Sequence, residues 1–337
     1  MPVLRLVDRS PTVPPDTLVA GLVPPPQFSD VRFETYRPDP AQPSQARALE
    51  LLQGFAAGLR PAPRSWGSRL LGRERPAAGP AGVYLDGGFG VGKTHLLASL
   101  WHAAPEPRAF CTFVELTHLV GALGFARTVE ELSDHRLLAI DEFELDDPGD
   151  TVLVSTLLGR LVEVGVRLAA TSNTLPGALG EGRFAAADFL REIQGLAARF
   201  TAVRVDGEDY RHRGLPAAPA PLSDDDVRAR VEAVGGASLD RFDDLLQHLS
   251  RLHPSRYGAL VDGVPLVGLE QVEPVADQAA ALRLVVLVDR LYDRGVPVVA
   301  SGCPLDAVFP DDMLTGGYRK KYLRAVSRLT ALARAAG

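Results

Sequence analysis

The sequence predicts an α/β fold, a parallel β-sheet flanked by helices, followed by a C-terminal α/β extension and a terminal helix. Three observations predict it. Short apolar runs without polar alternation, such as Leu137-Leu138-Ala139-Ile140, recur between helix-length segments, as expected of strands buried on both faces. One such run, Val83-Tyr84-Leu85, enters the glycine-rich stretch Gly87-Gly88-Phe89-Gly90-Val91-Gly92-Lys93-Thr94, and a helical segment from Thr94 to Ala103 leaves it. The chain has 337 residues, 46% of them hydrophobic, which suffices for two domains or for one with an appendage.

The elements follow in order. Residues 1–32 are proline-rich and weakly patterned, and predict an extended lead-in. A turn-rich stretch from Phe33 to Pro43 leads into a helix over Ser44–Leu59, with Ser44 as its N-cap. Residues 61–80 hold four prolines and read as a loop. Strands are expected over Val83–Leu85, Ala109–Val114, Leu137–Ile140, Val166–Thr171 and Thr201–Val205. Helices are expected over Thr94–Ala103, Glu115–Phe125, Thr151–Val164 (stopped by Gly165) and Phe189–Phe200. Together these make a core over residues 33–213. Residues 214–222, a proline–alanine stretch, form a linker to an extension over 223–337. The extension ends in a basic helix, Tyr318–Leu332, on which Lys320, Arg324 and Arg328 share one face.

Residues 237–309 echo residues 109–179. Phe242-x-x-Leu245 matches Phe113-x-x-Leu116, Ala259 to Asp262 matches Leu138 to Asp141, and Leu287 to Ala300 matches Leu157 to Ala170. On that alignment Gly263 stands at the place of Glu142 and no glycine-rich loop precedes the copy, so a duplicated site would be inactive. The competing reading is that two βα units look alike because the pattern is generic.

The glycine-rich stretch fits G-x-x-x-x-G-K-[ST] at every position, which makes it a phosphate-binding loop and the expected fold a P-loop NTPase. Glycines let backbone N–H groups turn inward onto phosphate oxygens, and the following helix adds its N-terminus. Lys93 reaches the β/γ-phosphates, and the Thr94 hydroxyl is a Mg²⁺ ligand. Residues 87–95, His95 included, are the expected nucleotide contacts. The chain has three lysines, Lys93, Lys320 and Lys321, and otherwise uses arginine. A compact ammonium fits inside such a loop where a planar guanidinium does not.

Asp141-Glu142 ends the strand over Leu137–Ile140, at the edge where parallel sheets bind ligands. Asp141 is the expected second Mg²⁺ ligand, and Glu142 the group that polarises the attacking water. The plainer reading is an exposed acidic loop, since Glu144, Asp146, Asp147 and Asp150 follow. Asn173, the single asparagine of the chain, follows the next strand in Ala170-Thr171-Ser172-Asn173. Its amide could bond both the γ-phosphate and the water, or serve simply as a turn residue. No [NT]-K-x-D guanine motif is present, which favours ATP. Gln42 could read the adenine edge, or be a polar residue at a helix entry.

Composition narrows the class further. A net charge of −6 argues against a general nucleic-acid coat. The two cysteines, Cys111 and Cys303, have no metal-ligand spacing and suggest a reducing, cytoplasmic setting. No apolar run approaches the ~18 residues of a membrane span, and the N-terminus lacks a signal-peptide pattern.

With these elements together the chain resembles the ZapE family of AAA+-like ATPases, bacterial cell-division proteins related to the mitochondrial lactation-elevated protein family. The resemblance runs from about Phe33 to about Leu332. It rests on Tyr36-x-Pro38-Asp39-x-x-Gln42, Val83-Tyr84-Leu85-x-Gly87-Gly88, Asp141-Glu142-Phe143 and Ala170-Thr171-Ser172-Asn173. Asp209-Tyr210-Arg211, Leu291-Tyr292-Asp293 and Ser327-Arg328-Leu329 add to it. It implies an ATPase, self-associating, that acts at the division site by destabilising FtsZ polymers. Lys93, Thr94, Asp141, Glu142 and Asn173 match the family's catalytic motifs, and Asp147 and Asp150 match acids downstream of them. The family's trans-acting arginine falls on Arg183 or Arg191, and the resemblance does not choose. It favours Arg324 or Arg328 as a cation folded back on the nucleotide; the other readings of the stripe are a solvated basic face and a contact for an acidic partner surface. Two alternatives stay open: a helicase-loader-like ATPase, and a scaffold that assembles on ATP without turnover.

Overall fold

A computed structural model describes residues 3–59, 81–88, 90–144, 148–175, 179, 190–207, 218–316 and 318–336. Phe89, Asp147, Arg183, the 61–80 loop, Asp209 to Arg211 and part of the 214–222 linker lie outside them. The chain forms two compact units. One comprises residues 15–24 and 28–213; the other comprises 1–14, 25–27 and 214–337.

The first unit is built on five parallel strands: β1 (Gly82–Asp86), β2 (Arg108–Thr112), β3 (Leu137–Asp141), β4 (Arg167–Ser172) and β5 (Phe200–Arg204). Their order is β2-β3-β4-β1-β5. Residues of β1 and β3 are buried throughout, as their unbroken apolar runs require. Helices α2 (Pro43–Leu59) and α3 (Lys93–Ala103) supply Leu52, Leu96, Leu97 and Leu100 to one core. Helices α4 (Phe113–Leu123) and α6 (Pro148–Glu163) supply Leu116, Val154, Leu157 and Leu161 to the other. Short helices α1 (Pro15–Ala20), α5 (Phe125–Leu132) and α7 (Leu190–Ala197) complete the unit. Because β4 lies between β3 and β1, the strand leading to Asn173 separates the strand of the acid pair from the strand of the loop. All three deliver their carboxyl ends to one edge, where open parallel sheets bind ligands.

Of the element boundaries that differ from expectation, two have a clear local reason. The strand read as far as Val114 ends at Thr112, which caps α4. Thr112 Oγ1 accepts from the Glu115 N–H at 3.2 Å, and the Glu115 carboxylate accepts from the Thr112 N–H at 2.7 Å. This is a reciprocal capping box, and it outweighs the β propensity of Phe113-Val114. Ser44 lies inside α2 rather than capping it, and its Oγ accepts the Asp206 N–H at 2.9 Å.

The second unit holds the parallel strands β6 (Ser238–Arg241), β7 (Val267–Val272) and β8 (Val298–Gly302) in that order. Its helices are α8 (Asp224–Glu232), α9 (Phe242–Arg251), α10 (Tyr257–Val261), α11 (Gln278–Asp293), α12 (Asp311–Thr315) and α13 (Arg319–Ala335). Of residues 1–32, expected to be an extended lead-in, 15–24 and 28–32 belong to the first unit and 1–14 and 25–27 to this one. Leu6 is fully buried in its core, and Leu4 pairs with Ser238. The Leu6 and Val7 N–H groups donate to the buried Asp240 carboxylate at 2.9 and 3.2 Å. Burial pushes the Asp240 carboxyl above its ordinary range, and these two bonds are what oppose it.

The echo between the two halves is visible in topology. The run β6-α9-β7-α11-β8 has the order and direction of β2-α4-β3-α6-β4. In one sheet Ile140 pairs with Ala170, and in the other Leu269 pairs with Ala300. The alignment of Ala259 to Asp262 with β3 is wrong, however: Tyr257–Val261 is helix α10, and Asp262 caps its end. A short buried helix and a buried strand both present unbroken apolar residues, so periodicity alone did not separate them. Register puts Glu270 and Gln271, not Asp262 and Gly263, opposite Asp141 and Glu142.

A candidate nucleotide-binding site

The phosphate loop leaves β1 at Gly87 and enters α3 at Gly92, whose φ of +88° places it in left-handed backbone. The loop is braced from outside. A Cβ on Gly87 would lie 2.1 Å from the Val205 carbonyl oxygen, and one on Gly92 would lie 2.7 Å from the Tyr36 ring. The Tyr36 hydroxyl donates to the Val91 carbonyl at 3.1 Å, which ties the 33–36 turn to the loop. Buried Asp86, at the end of β1, pairs with Arg204 of β5 at 2.8 Å. Replacing Gly92 by alanine forces a left-handed Cβ into Tyr36, a strain of about 1–3 kcal/mol. We expect Gly92→Ala to weaken ATP binding about tenfold or more, measured as the Kd of a fluorescent ATP analogue.

Lys93 stands at the centre. Its Nζ donates to the carbonyls of Gly87 at 2.9 Å and Gly88 at 2.5 Å, and to Asn173 Oδ1 at 2.9 Å. The Thr94 hydroxyl donates to both Asp141 oxygens, at 3.2 and 3.0 Å. Residues from the loop, from β3 and from beyond β4 thus meet within hydrogen-bond reach. Asp141 is 7% exposed. Burial pushes its carboxyl above the usual range and the neighbouring Glu142 charge adds to this, while bonds from Thr171 and Thr94 and the Lys93 charge pull the other way. A buried carboxylate beside a hydroxyl offers hard oxygen donors, the set that suits Mg²⁺. Glu142 follows in left-handed backbone, φ +53°, and is partly exposed.

The other expected residues have the following surroundings. His95 faces the turn before α2, with Nε2 2.9 Å from Thr35 Oγ1 and its ring edge-on to Tyr36. Gln42 is partly exposed, and its N–H closes a turn onto the Asp39 carbonyl. The buried amide beside the loop is Gln45, which accepts from the Asp39 N–H and donates to the Asp206 carbonyl, both at 2.8 Å. No motif flagged Gln45. Its position three residues beyond Gln42, on the inward face of α2, was the signal available. Arg191 is exposed on α7, and Asp150 lies in the first turn of α6. Arg324 and Arg328 lie on α13 in the other unit and both bind Asp289 of α11, Arg324 at 2.9 Å. Burial raises the Asp289 carboxyl, but Arg324, Arg328 and Arg290 outweigh it and hold the group below its ordinary range. Both cysteines are free, and among the described residues no helix is long and apolar enough to cross a membrane.

A complete phosphate loop on a parallel sheet, with an acid pair one strand beyond the adjacent one and an asparagine on the strand between, defines a P-loop ATPase of the AAA+ type. More narrowly, the chain belongs to the AFG1-like ATPase family, whose family model matches residues 12–235 and 217–336. It is 27% identical to the cell division protein ZapE of Escherichia coli K12 over 349 aligned residues, 88% of this chain and 91% of that protein. The ZapE of Escherichia coli O157:H7 is similar to the same degree. Among solved structures, domain III of the Thermotoga maritima replication initiation protein DnaA matches 70% of this chain and 87% of its own, at 16% identity and a TM-score of 0.39. AMPPCP-bound DnaA from Aquifex aeolicus matches 91% and 90%, at 10% identity and a TM-score of 0.38.

Proposed function

We propose that this ATPase hydrolyses Mg²⁺-bound ATP at the loop and uses the cycle to remodel the cell-division machinery, with FtsZ polymers as the client. The observation that carries the chemistry is the Lys93–Asn173 contact beside the Thr94–Asp141 pair. Thr94 and Asp141 would hold the metal, which supplies positive charge to the β- and γ-phosphate oxygens. Lys93 exchanges its carbonyl partners for phosphate oxygens. Asn173, released from Lys93, bonds the γ-phosphate and the water. Glu142 orients that water and accepts its proton. Loop residues Gly87 to Thr94 bind the phosphates through their N–H groups, and the turn holding Tyr36 and Gln42 borders the base. Arg183 or Arg191 of a neighbouring copy would complete the charge clamp in a homo-oligomer.

The client rests on the family and on similarity to a cell division protein across most of both chains. Two measurements test the reading. Phosphate release should fall to background in EDTA and return with excess Mg²⁺. Co-sedimentation with preassembled FtsZ polymers should show less pelleted FtsZ in ATP than in a non-hydrolysable analogue. Equal pelleting in both nucleotides would remove the client and leave the ATPase standing.

A further inference from the structure

Among the described residues, two that are not glycine have positive φ: Glu142 at +53° and Gln271 at +56°. They lie at matching places, two residues past the corresponding pairs Ile140–Ala170 and Leu269–Ala300, with Gln271 inside the register shift between Leu269 and Val272. In both places the N–H of the left-handed residue goes to a hydroxyl on the neighbouring strand. Glu142 donates to Thr171 Oγ1 at 3.1 Å, and Gln271 donates to Ser301 Oγ at 2.9 Å. Each hydroxyl then donates its own proton to a carboxylate, Thr171 to Asp141 and Ser301 to Asp224. The Phe143 N–H also bonds the Thr171 carbonyl, at 2.6 Å, so the turn is held on both sides.

In the second unit this device operates without the chemistry. An amide, Gln271, stands in place of the Glu142 carboxylate. Leu222 bridges to Ser301 and passes through the Ser223 cap straight into α8, with no glycine loop between. Glu270, in the place of Asp141, is paired with Arg228 at 2.6 Å. The hydroxyl's work is therefore geometric. It satisfies the N–H of a residue in costly left-handed backbone, ~1 kcal/mol or more for a side chain of this size. Thr171 is 2% exposed, too enclosed to contact a nucleotide directly.

We propose that Thr171 is a positioning residue for hydrolysis: its hydroxyl fixes, in one group, the backbone from which Glu142 projects and the orientation of the Asp141 carboxylate. The inference rests on the role given to Glu142 above. The step it serves is unchanged, and Thr171 gives up no proton to the reaction.

The test uses the full chain and four variants. Thr171→Val keeps the shape and removes the hydroxyl; Thr171→Ser keeps the hydroxyl. Valine should lower kcat roughly 10- to 100-fold, the range seen when groups that orient a site residue are lost, with the Kd for a non-hydrolysable ATP analogue within about threefold of wild type. Serine should restore kcat to within about threefold. Ser301→Ala, which breaks the same device in the other unit, should lower Tm and leave kcat unchanged. A valine variant with wild-type kcat, or a serine variant as slow as valine, would overturn the proposal. So would a valine variant whose analogue affinity falls as much as its kcat, since that is the signature of a distorted loop. If valine does not fold, Thr171→Cys takes its place, and the same comparison with serine decides. Glu142→Gln separates the two readings. Wild-type turnover there removes the role of Glu142 and this inference with it. An inactive Glu142→Gln beside an unaffected Thr171→Val removes this inference alone.

Discussion

Glu142→Gln should bind ATP with near wild-type affinity and release phosphate about 100- to 10,000-fold more slowly, the range a positioned general base contributes. The substitution keeps size and hydrogen-bonding reach and removes the carboxylate proposed to take the proton. Affinity should survive because the groups proposed to hold the phosphates and metal are others: the loop N–H groups, Lys93 and the Thr94–Asp141 pair. The backbone at Glu142 should also survive, since Thr171 and not the Glu142 side chain holds its N–H. The second unit carries this same change naturally, with Gln271 at the matching position and its turn intact. Steady-state phosphate release and analogue binding, measured on the same preparation, check the split. Comparable losses in both would mean that the substitution had disturbed the loop, and unchanged turnover would mean that another group activates the water.

Legibility of the fold followed chemistry that is local in sequence. Strands β1, β3 and β4 are buried on both faces, so each shows as an unbroken apolar run and each was readable within a residue or two. The β2 boundary was misjudged although its cap was written out as Thr112-x-x-Glu115, because Phe113 and Val114 favour a strand as strongly as the box favours a helix. Strand order was not readable at all. Nothing in the residues of β4 states that it pairs with both β3 and β1. The N-terminal residues were misread for a related reason. Leu6 and its partner Asp240 are 234 positions apart, and only the folded chain brings them together.

The candidate site divides along the same line. Lys93, Thr94, Asp141 and Asn173 stand out because a phosphoryl-transfer site asks for each residue type at its own place, and the structure pairs Lys93 with Asn173 and Thr94 with Asp141. Tyr36, quoted in a family motif, bonds the loop at Val91, while Gln45 and Arg204 brace its surroundings through Asp206 and Asp86, contacts that no motif encodes. Gln42 reads as an amide near the expected base, and Gln45, one turn later, is the buried amide that bonds Asp39 and Asp206. Thr171 was quoted only as a neighbour of Asn173. Its importance is visible only where its hydroxyl meets two consecutive residues of the adjacent strand.

Lys93→Arg should be nearly as damaging as Lys93→Ala, with kcat/KM for ATP down at least about 100-fold in both, the scale for losing one charged group at a transferring phosphoryl centre. Charge alone would predict a mild effect for arginine. Geometry predicts otherwise. Lys93 Nζ sits 2.5–2.9 Å from two carbonyls of its own loop and from Asn173, a pocket sized for a single tetrahedral ammonium. A guanidinium spreads the same charge over a plane with five donors and cannot enter without moving the Gly87-Gly88 backbone. That backbone has little room on its outer side, where even a Cβ added to Gly87 would lie 2.1 Å from the Val205 carbonyl oxygen. The same reasoning accounts for a chain that uses arginine nearly everywhere and retains lysine here. Turnover and analogue binding for the two variants decide it. An arginine variant within a few-fold of wild type would show that the site reads charge and not shape, and would remove the fit argument for Lys93 while leaving the ATPase assignment intact.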